Sequence, residues 1–437
     1  MPDTLKNEPK IDPQEVLDGI VEWVTIESPS HDAKAVNVVV DKVESQFRDL
    51  GLALERTPGV DGFGDILECK TPPQMSQGEG KGILVLAHLD TVHPIGMIEK
   101  DLKIRQEGDS VFGPGIYDMK AGGYIAYYAL RHLIRQGKKT RLPVTFLFIP
   151  EEEVGSPTSR ARIEAAARGH KYCLVMEPGR DGDRVVTSRK GVGRFVMTVK
   201  GRASHAGVRH EDGRSAILEM ARQILRIEGK TDYARGITGN VGLVKGGTGV
   251  NVVSAECAAE IDLRVPSQQL AEKMTHWFLG LEPIGADVEV TVTAGMNRPP
   301  YQKDAGIAQL FGKAQALYRE IGKELLDVPL TGGGSDGNFT AALGIPTLDG
   351  LGADGKGAHA AYEQIYFSSL MPRTYLRAAL GDAGLTVVIC HAPGSRSLSP
   401  TPIMSNTVQY LRHAPLLRQA VCGVAQSEIP PDPIERV

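Results

Sequence analysis

No run in this 437-residue chain approaches the roughly 20 consecutive apolar residues that a membrane-spanning helix needs. Basic residues are not gathered into a stripe, and the formal net charge is −4, which argues against a nucleic-acid or polyanion binder. Cysteine is scarce. The five (Cys69, Cys173, Cys257, Cys390, Cys422) are odd in number and scattered, with no CxxC, so a disulfide framework is excluded and reduced, buried thiols are expected. The opening MPDTLKNEPKIDPQ lacks the basic start and apolar core of a secretory signal, and a soluble, cytoplasmic protein is expected. No GxGxxG follows the first buried strand, which weighs against a nucleotide-dependent oxidoreductase. No GK[ST] follows the glycine loop at 331–338, which weighs against a phosphate cradle. Aromatics are only 5% whereas glycine numbers 50, a balance that fits a loop-rich α/β enzyme better than a helical bundle. The length calls for about two domains.

What is present is a repeated strand ending. Residues 83–90 (ILVLAHLD) read as a buried strand that stops at His88 and Asp90. Residues 144–149 (VTFLFI) run into Pro150 and three glutamates, Glu151, Glu152 and Glu153, and residues 172–176 (YCLVM) run into Glu177. Polar groups at the carboxyl ends of buried strands face the crevice where open α/β sheets bind ligands.

Helical spacing at 13–23, 34–50 and 121–135 alternates with these strands, which predicts a βαβ sheet with helices on its faces. After Arg189 the period changes. The order β-α-β-β-α-β over 191–300 predicts a ferredoxin-like α+β insertion. The expected architecture is therefore α/β, a mixed sheet flanked by helices, built from 1–190 and 301–437 and interrupted by a smaller domain at 191–300. Residues 384–437 show no convincing period and are expected to pack poorly on the rest.

Singly, each candidate has an ordinary reading. A histidine at a strand end is commonly a satisfied polar group, three glutamates a solvated surface, Asp118 a helix N-cap, and Glu177 a turn acid. Together, His88, Asp118, Glu152, Glu153, Glu177 and His359 offer nitrogen and oxygen ligands without thiolate. That is the chemistry of a catalytic Zn²⁺ pair or a related divalent ion such as Co²⁺ or Mn²⁺. Asp90, on the same face as His88, can fix its ring tautomer.

The stretches HLDTV (88–92), GPGIYDMKAG (113–122), EEEVGS (151–156), MEPG (176–179), GRASHAG (201–207), TGGGSD (331–336) and GAHAAYE (357–363) resemble the motifs of the co-catalytic zinc amidohydrolase family. That family contains glutamate carboxypeptidases of the carboxypeptidase G type, aminoacylases and succinyl-diaminopimelate desuccinylases. The resemblance covers roughly residues 10–380. It implies one metal on His88 and Glu177, a second on Glu153 and His359, Asp118 bridging, Glu152 as general base and Asp90 as partner of His88. It also implies that His205 reaches across a homodimer, formed through the inserted domain, to stabilise the oxyanion. Asn251 and Arg298 match positions that hold a substrate carboxylate, and backbone N–H groups of the loop at Gly333, Gly334 and Ser335 are suited to a carboxylate or oxyanion. One departure stands out: the carboxypeptidase G branch has an arginine just before its TGGG loop, where this chain has Leu330. A bidentate carboxylate clamp is lost with it.

The expected reaction is metal-assisted amide hydrolysis, with Glu152 taking a proton from a water between two cations and passing it to the leaving amine. The favoured substrate is a peptide or acyl conjugate that releases a C-terminal amino acid. The alternatives are another N-acyl amino acid, which Leu330 favours, and a non-catalytic metal-binding relative.

Overall fold

The computed structural model describes residues 11–180 and 182–382. Helices α1 (Pro13–Val24) and α2 (Ala33–Asp49) start at aspartate caps, Asp12 accepting from the Gln14 N–H and Asp32 from the Ala35 N–H. Strands β1 (Ala53–Thr57), β2 (Ile66–Lys70) and β3 (Gly82–His88) follow, then α3 (Ala121–Arg135), β4 (Val144–Ile149), α4 (Arg160–Arg168) and β5 (His170–Val175). The second layer runs β6 (Gly191–Lys200), α5 (Ala216–Glu228), β7 (Thr238–Gly246), β8 (Glu256–Val265), α6 (Gln268–Leu279) and β9 (Glu289–Arg298). The chain then returns through α7 (Ala305–Glu320), α8 (Gly337–Ala342), β10 (Thr347–Leu348) and α9 (Phe367–Asp382).

The main sheet has the order β1-β2-β4-β3-β5-β10. Its last four strands are parallel and β2 runs antiparallel to both its neighbours, β1 and β4, so the sheet is mixed. Because side chains alternate across a strand, β3 feeds two cores. Ile83, Val85 and Ala87 pack with Val16, Trp23, Val39 and Tyr124 from α1–α3. Leu84 and Leu86 pack with Ile163, Ala167 and Phe339 from α4 and α8. A strand buried on both faces reads as an unbroken apolar run, which is why ILVLA was visible in the sequence. Helix α3 begins hard against the end of β5: a Cβ on Gly122 would sit 1.9 Å from the Met176 carbonyl oxygen.

The second layer is an antiparallel sheet of order β7-β8-β6-β9. Alternate residues of β6 are buried, and Phe195, Met197 and Val199 join Met220, Ile227, Ile261 and Phe278 in a core of their own.

A further antiparallel sheet was not anticipated. Arg105–Glu107, Ser110–Phe112, Gly355–Lys356 and Gln364–Tyr366 pair across it. It pins the loop containing His359 to the loop containing Asp118. Among the described residues no helix is long and apolar enough to cross a membrane. Cys69, Cys173 and Cys257 are buried, and Cys69 and Cys257 are free thiols. Cys390, Cys422 and the segment 384–437 lie outside the described residues.

Candidate metal centre and active site

The parallel order β4-β3-β5 puts His88, the glutamates 151–153 and Glu177 at neighbouring strand ends. His88 is buried, with Nδ1 2.9 Å from the Asp90 carbonyl oxygen. A carbonyl only accepts, so Nδ1 carries a proton, and Nε2 is the ring nitrogen turned toward the neighbouring acids, where a cation would replace its proton. That Nε2 lies 3.2 Å from Asp118 Oδ1 and 3.8 Å from Glu177 Oε1. The other oxygen of Asp118 is 3.4 Å from His359 Nε2, which in turn is 3.0 Å from Glu153 Oε2. Asp118 therefore stands between the two imidazoles. His359 itself holds φ +65°, a backbone conformation uncommon outside glycine and found at functional sites.

The three glutamates have three different fates. Glu151 is fully buried and caps the start of α4, accepting from the N–H groups of Thr158 and Ser159 and from both their hydroxyls. Glu152 lies 2.5 Å from Arg298 Nη2, and Glu153 faces His359. Asp90 does more than orient His88. Its carboxylate accepts from Ser30 Oγ at 2.6 Å and from the backbone N–H groups of Glu152 and Glu153 at 3.1 and 3.2 Å. One buried carboxylate thus sets both the imidazole and the turn carrying the next two acids.

Two groups of potential ligand atoms lie within 4.8 Å of one another: His88, Asp118 and Glu153, and His88, Glu152 and Glu177. Glu153 Oε1 is buried with no partner. Burial, then the neighbouring charge on Asp118, pushes Glu153 up to about 8, and the same two causes push Glu177 well above the carboxylate range. Burial also raises Asp118, but hydrogen bonds from His359 and His88 outweigh it and hold its carboxyl low. Hydrogen bonds to Asp118 and Glu153 raise His359 to about 10. Protons are compensating for crowded negative charge here. Divalent cations would do so better, and the hard oxygen and imidazole donors fit them.

These groups line an open cleft of about 250 Å³. Asp118, Glu152, Glu153, Glu177 and His359 form one wall, and Arg194, Arg264, Asn297 and Arg298 from the second layer form another. Gly333 and Gly334 line it too, with their carbonyls accepting from Arg189 Nη1 at 3.1 and 3.3 Å. Ser335 does not line it. It is buried, donates its N–H to Asn338 Oδ1 and its hydroxyl to Asp349, and so serves the loop's own structure. Arg298 is engaged by Glu152 and, at 3.3 Å, by Asp336, while its Nη1 is buried without a partner. His205 and Asn251 lie together on the second layer, exposed and outside the lining of this chain's cleft. The His205 ring accepts from the Gly207 and Val208 N–H groups, and the Asn251 carbonyl accepts from Ala206.

Glu363 was not singled out from the sequence. It is buried and accepts from the Gly115, Tyr117 and Asp118 N–H groups, with His93 Nε2 at 2.6 Å. The signal was an acid four residues after His359 within a loop already flagged. Nothing local separates such an acid from a surface turn.

Residues 84–380 match the sequence pattern of peptidase family M20/M25/M40. Carboxypeptidase G2 of Pseudomonas sp. (strain RS-16) is 30% identical over 375 residues, which is 84% of this chain and 88% of that protein. Two solved structures share the fold. A tripeptidase from Staphylococcus aureus has a TM-score of 0.67 at 21% identity, covering 86% of this chain and 100% of its own. An M20 family metallo-carboxypeptidase from Sulfolobus solfataricus has a TM-score of 0.67 at 18% identity, with the same coverage.

Proposed function

The chain belongs to peptidase family M20/M25/M40 and is a metal-dependent peptidase or amidohydrolase; from that premise we propose that it cleaves an amide bond to release a C-terminal amino acid. The observation that carries the reading is the chain of close contacts linking Glu177, His88, Asp118, His359 and Glu153, with one carboxylate oxygen of Glu153 buried and unpartnered. We assign His88 and Glu177 to one zinc ion, Glu153 and His359 to a second, and Asp118 to both. When bound, the ions would polarise the amide carbonyl and lower the pKa of a water toward ~7. Glu152 takes the proton from that water as it attacks and delivers it to the departing amine. Arg298 holds the Glu152 carboxylate from the cleft side, and Asp90 holds its backbone from the sheet side.

Two further roles fall outside this chain's own cleft. His205 and Asn251 are exposed and adjacent, which supports their donation to the site of a second copy through the 191–300 domain, His205 at the oxyanion and Asn251 at the substrate carboxylate. The buried free thiols of Cys69 and Cys257 agree with a reducing compartment such as the cytoplasm.

A second reading keeps the chemistry and changes the substrate to a non-glutamate N-acyl amino acid. Its support is Leu330, exposed beside the glycine loop and without charge. A panel of acyl-glutamate, acyl-aspartate and aromatic acyl amino acids separates the two. The assignment of Glu152 is tested by Glu152→Gln, expected to lower kcat by about 10²–10⁴-fold with metal content unchanged. Near-normal turnover would show that another group moves the proton, and a lost equivalent of metal would make Glu152 a ligand.

A further inference from the structure

We infer that Arg180 binds a free carboxylate of the substrate; the inference rests on the amide-hydrolase reading above and names the group that would set its specificity. Four arginines line the cleft, and three are already committed. Arg298 is paired with Glu152 and Asp336. Arg264 is held by both oxygens of Asp262 and donates to the Gly332 carbonyl. Arg194 donates to the Val154 carbonyl. Arg180 is different: among the described residues no side chain or carbonyl pairs with its guanidinium, and its Nε is buried without a partner. Its backbone is tied down, because Arg180 and Arg184 exchange N–H to carbonyl bonds of 2.9 and 2.8 Å. The guanidinium reaches the glycine loop, with Nη2 4.0 Å from where a Cβ on Gly333 would lie.

A charged donor held in a partly desolvated wall with its N–H groups unspent is matched by an anion that takes two parallel bonds, and a carboxylate has that geometry. Arg180 follows Glu177 by three residues, a span of at most roughly 10 Å of extended chain. It therefore stands close to the acids that would hold the scissile amide. In an N-acyl amino acid the free carboxylate is separated from the scissile carbonyl only by the nitrogen and the α-carbon. Leu330 brings no cation, and Arg298, although its Nη1 is unpartnered, is held by Glu152 and Asp336, which leaves Arg180 as the cleft arginine with no acid paired to it among the described residues.

The test compares kcat and KM for N-acyl amino acids and for their C-terminal carboxamides, with acyl-glutamate and acyl-glutamine to separate the α from the side-chain carboxylate. The proteins are the full-length, zinc-loaded wild type, Arg180→Met and Arg180→Lys. For Arg180→Met, KM for the free acids is expected to rise roughly 10- to 100-fold, with kcat little changed and the preference for acid over amide abolished. Arg180→Lys should recover part of the preference, since it restores charge but not the planar fork. Survival of the preference in Arg180→Met, or an equal rise in KM for acids and amides, overturns the inference. If the wild type hydrolyses none of the panel, the hydrolase substrate assignment fails on its own. Arg180 is then judged by calorimetric binding of N-acetylglutamate: a tenfold or greater loss in Arg180→Met supports it, and equal affinity, or no binding to the wild type, overturns it.

Discussion

Glu363 lies outside the assigned ligand set, yet its carboxylate holds the backbone that presents Asp118. Three N–H groups, from Gly115, Tyr117 and Asp118, donate to it at 3.1, 2.8 and 2.9 Å, and His93 Nε2 sits 2.6 Å away. Glu363→Ala strands all of these groups in the interior. At roughly 1–3 kcal/mol for each buried donor, reduced by relaxation and water entry, the unfolding free energy should fall by about 3–5 kcal/mol. Glu363→Gln is the sharper probe. Its amide oxygen can still serve Tyr117 and Asp118, and its NH₂ can donate to His93 once that ring changes tautomer. Only the Gly115 N–H is left facing a donor, so the cost should be about 1–3 kcal/mol. The same substitution loosens the turn under Asp118, and partners behind metal ligands typically matter by about 10–100-fold in affinity. Urea unfolding of the metal-free protein measures the first quantity, and zinc competition against a chromophoric chelator the second. Zinc affinity within about twofold of wild type in Glu363→Gln would refute the positioning argument and leave Glu363 a purely structural acid.

The pH response of the metal-free protein has a definite sign. His359 sits at about 10 in the fold against 6.5, so its contribution is whole below 6.5 and is lost as pH rises through 10. Glu153, at about 8 against 4.5, binds its proton more tightly in the fold and withdraws stability as pH rises from 4.5 to 8. Unfolding midpoints should therefore fall across that range, and a rising profile would contradict the assignment. Zinc has to displace the protons on His359, Glu153 and Glu177 at pH 7, so calorimetry in buffers of different ionisation enthalpy should report release of roughly three protons or more, and binding without proton release would count against these ligands. Mixing Glu152→Gln with His205→Ala chains should restore up to half of wild-type activity, since one mixed site regains both residues; no recovery in a confirmed mixed dimer would exclude sharing of His205.

Much of the centre was legible because the parallel strands are buried on both faces. An apolar run that stops abruptly at a charged residue marks a carboxyl edge, and that is how His88, Glu152, Glu153 and Glu177 were found. What escaped depends on pairing over long separations. Strands of two or three residues, such as Gly355–Lys356 and Ser110–Phe112, carry no period of their own. Yet they fix where His359 and Glu363 meet Asp118. Arg189 and Asp349 form a fully buried bidentate pair 160 residues apart, and each alone reads as a surface charge. Ser335 was grouped with the loop glycines because glycine-rich loops commonly expose their backbone. Its neighbours Asn338 and Asp349 instead draw it inward.

The second layer is more than a lid over a finished site. The turn that carries Glu152 is gripped from the sheet by Asp90 and from above by the ends of β6 and β9. Arg298 takes the Glu152 carboxylate and carbonyl, Asn297 donates to the Gly155 carbonyl at 2.9 Å, and Arg194 donates to the Val154 carbonyl. Gly155 makes the close approach possible, since at φ +100° a Cβ there would stand 3.0 Å from the Asn297 amide. Arg298, Asn297 and Arg194 are not among the clustered metal-ligand groups, although the Glu152 carboxylate that Arg298 holds is. On the assignment proposed above, disturbing them should leave His88, Asp118 and Glu177 in place and misplace the Glu152 carboxylate. On the proposed assignment the two layers divide the work: the parallel sheet gathers the charge, and the second layer holds the turn that carries Glu152.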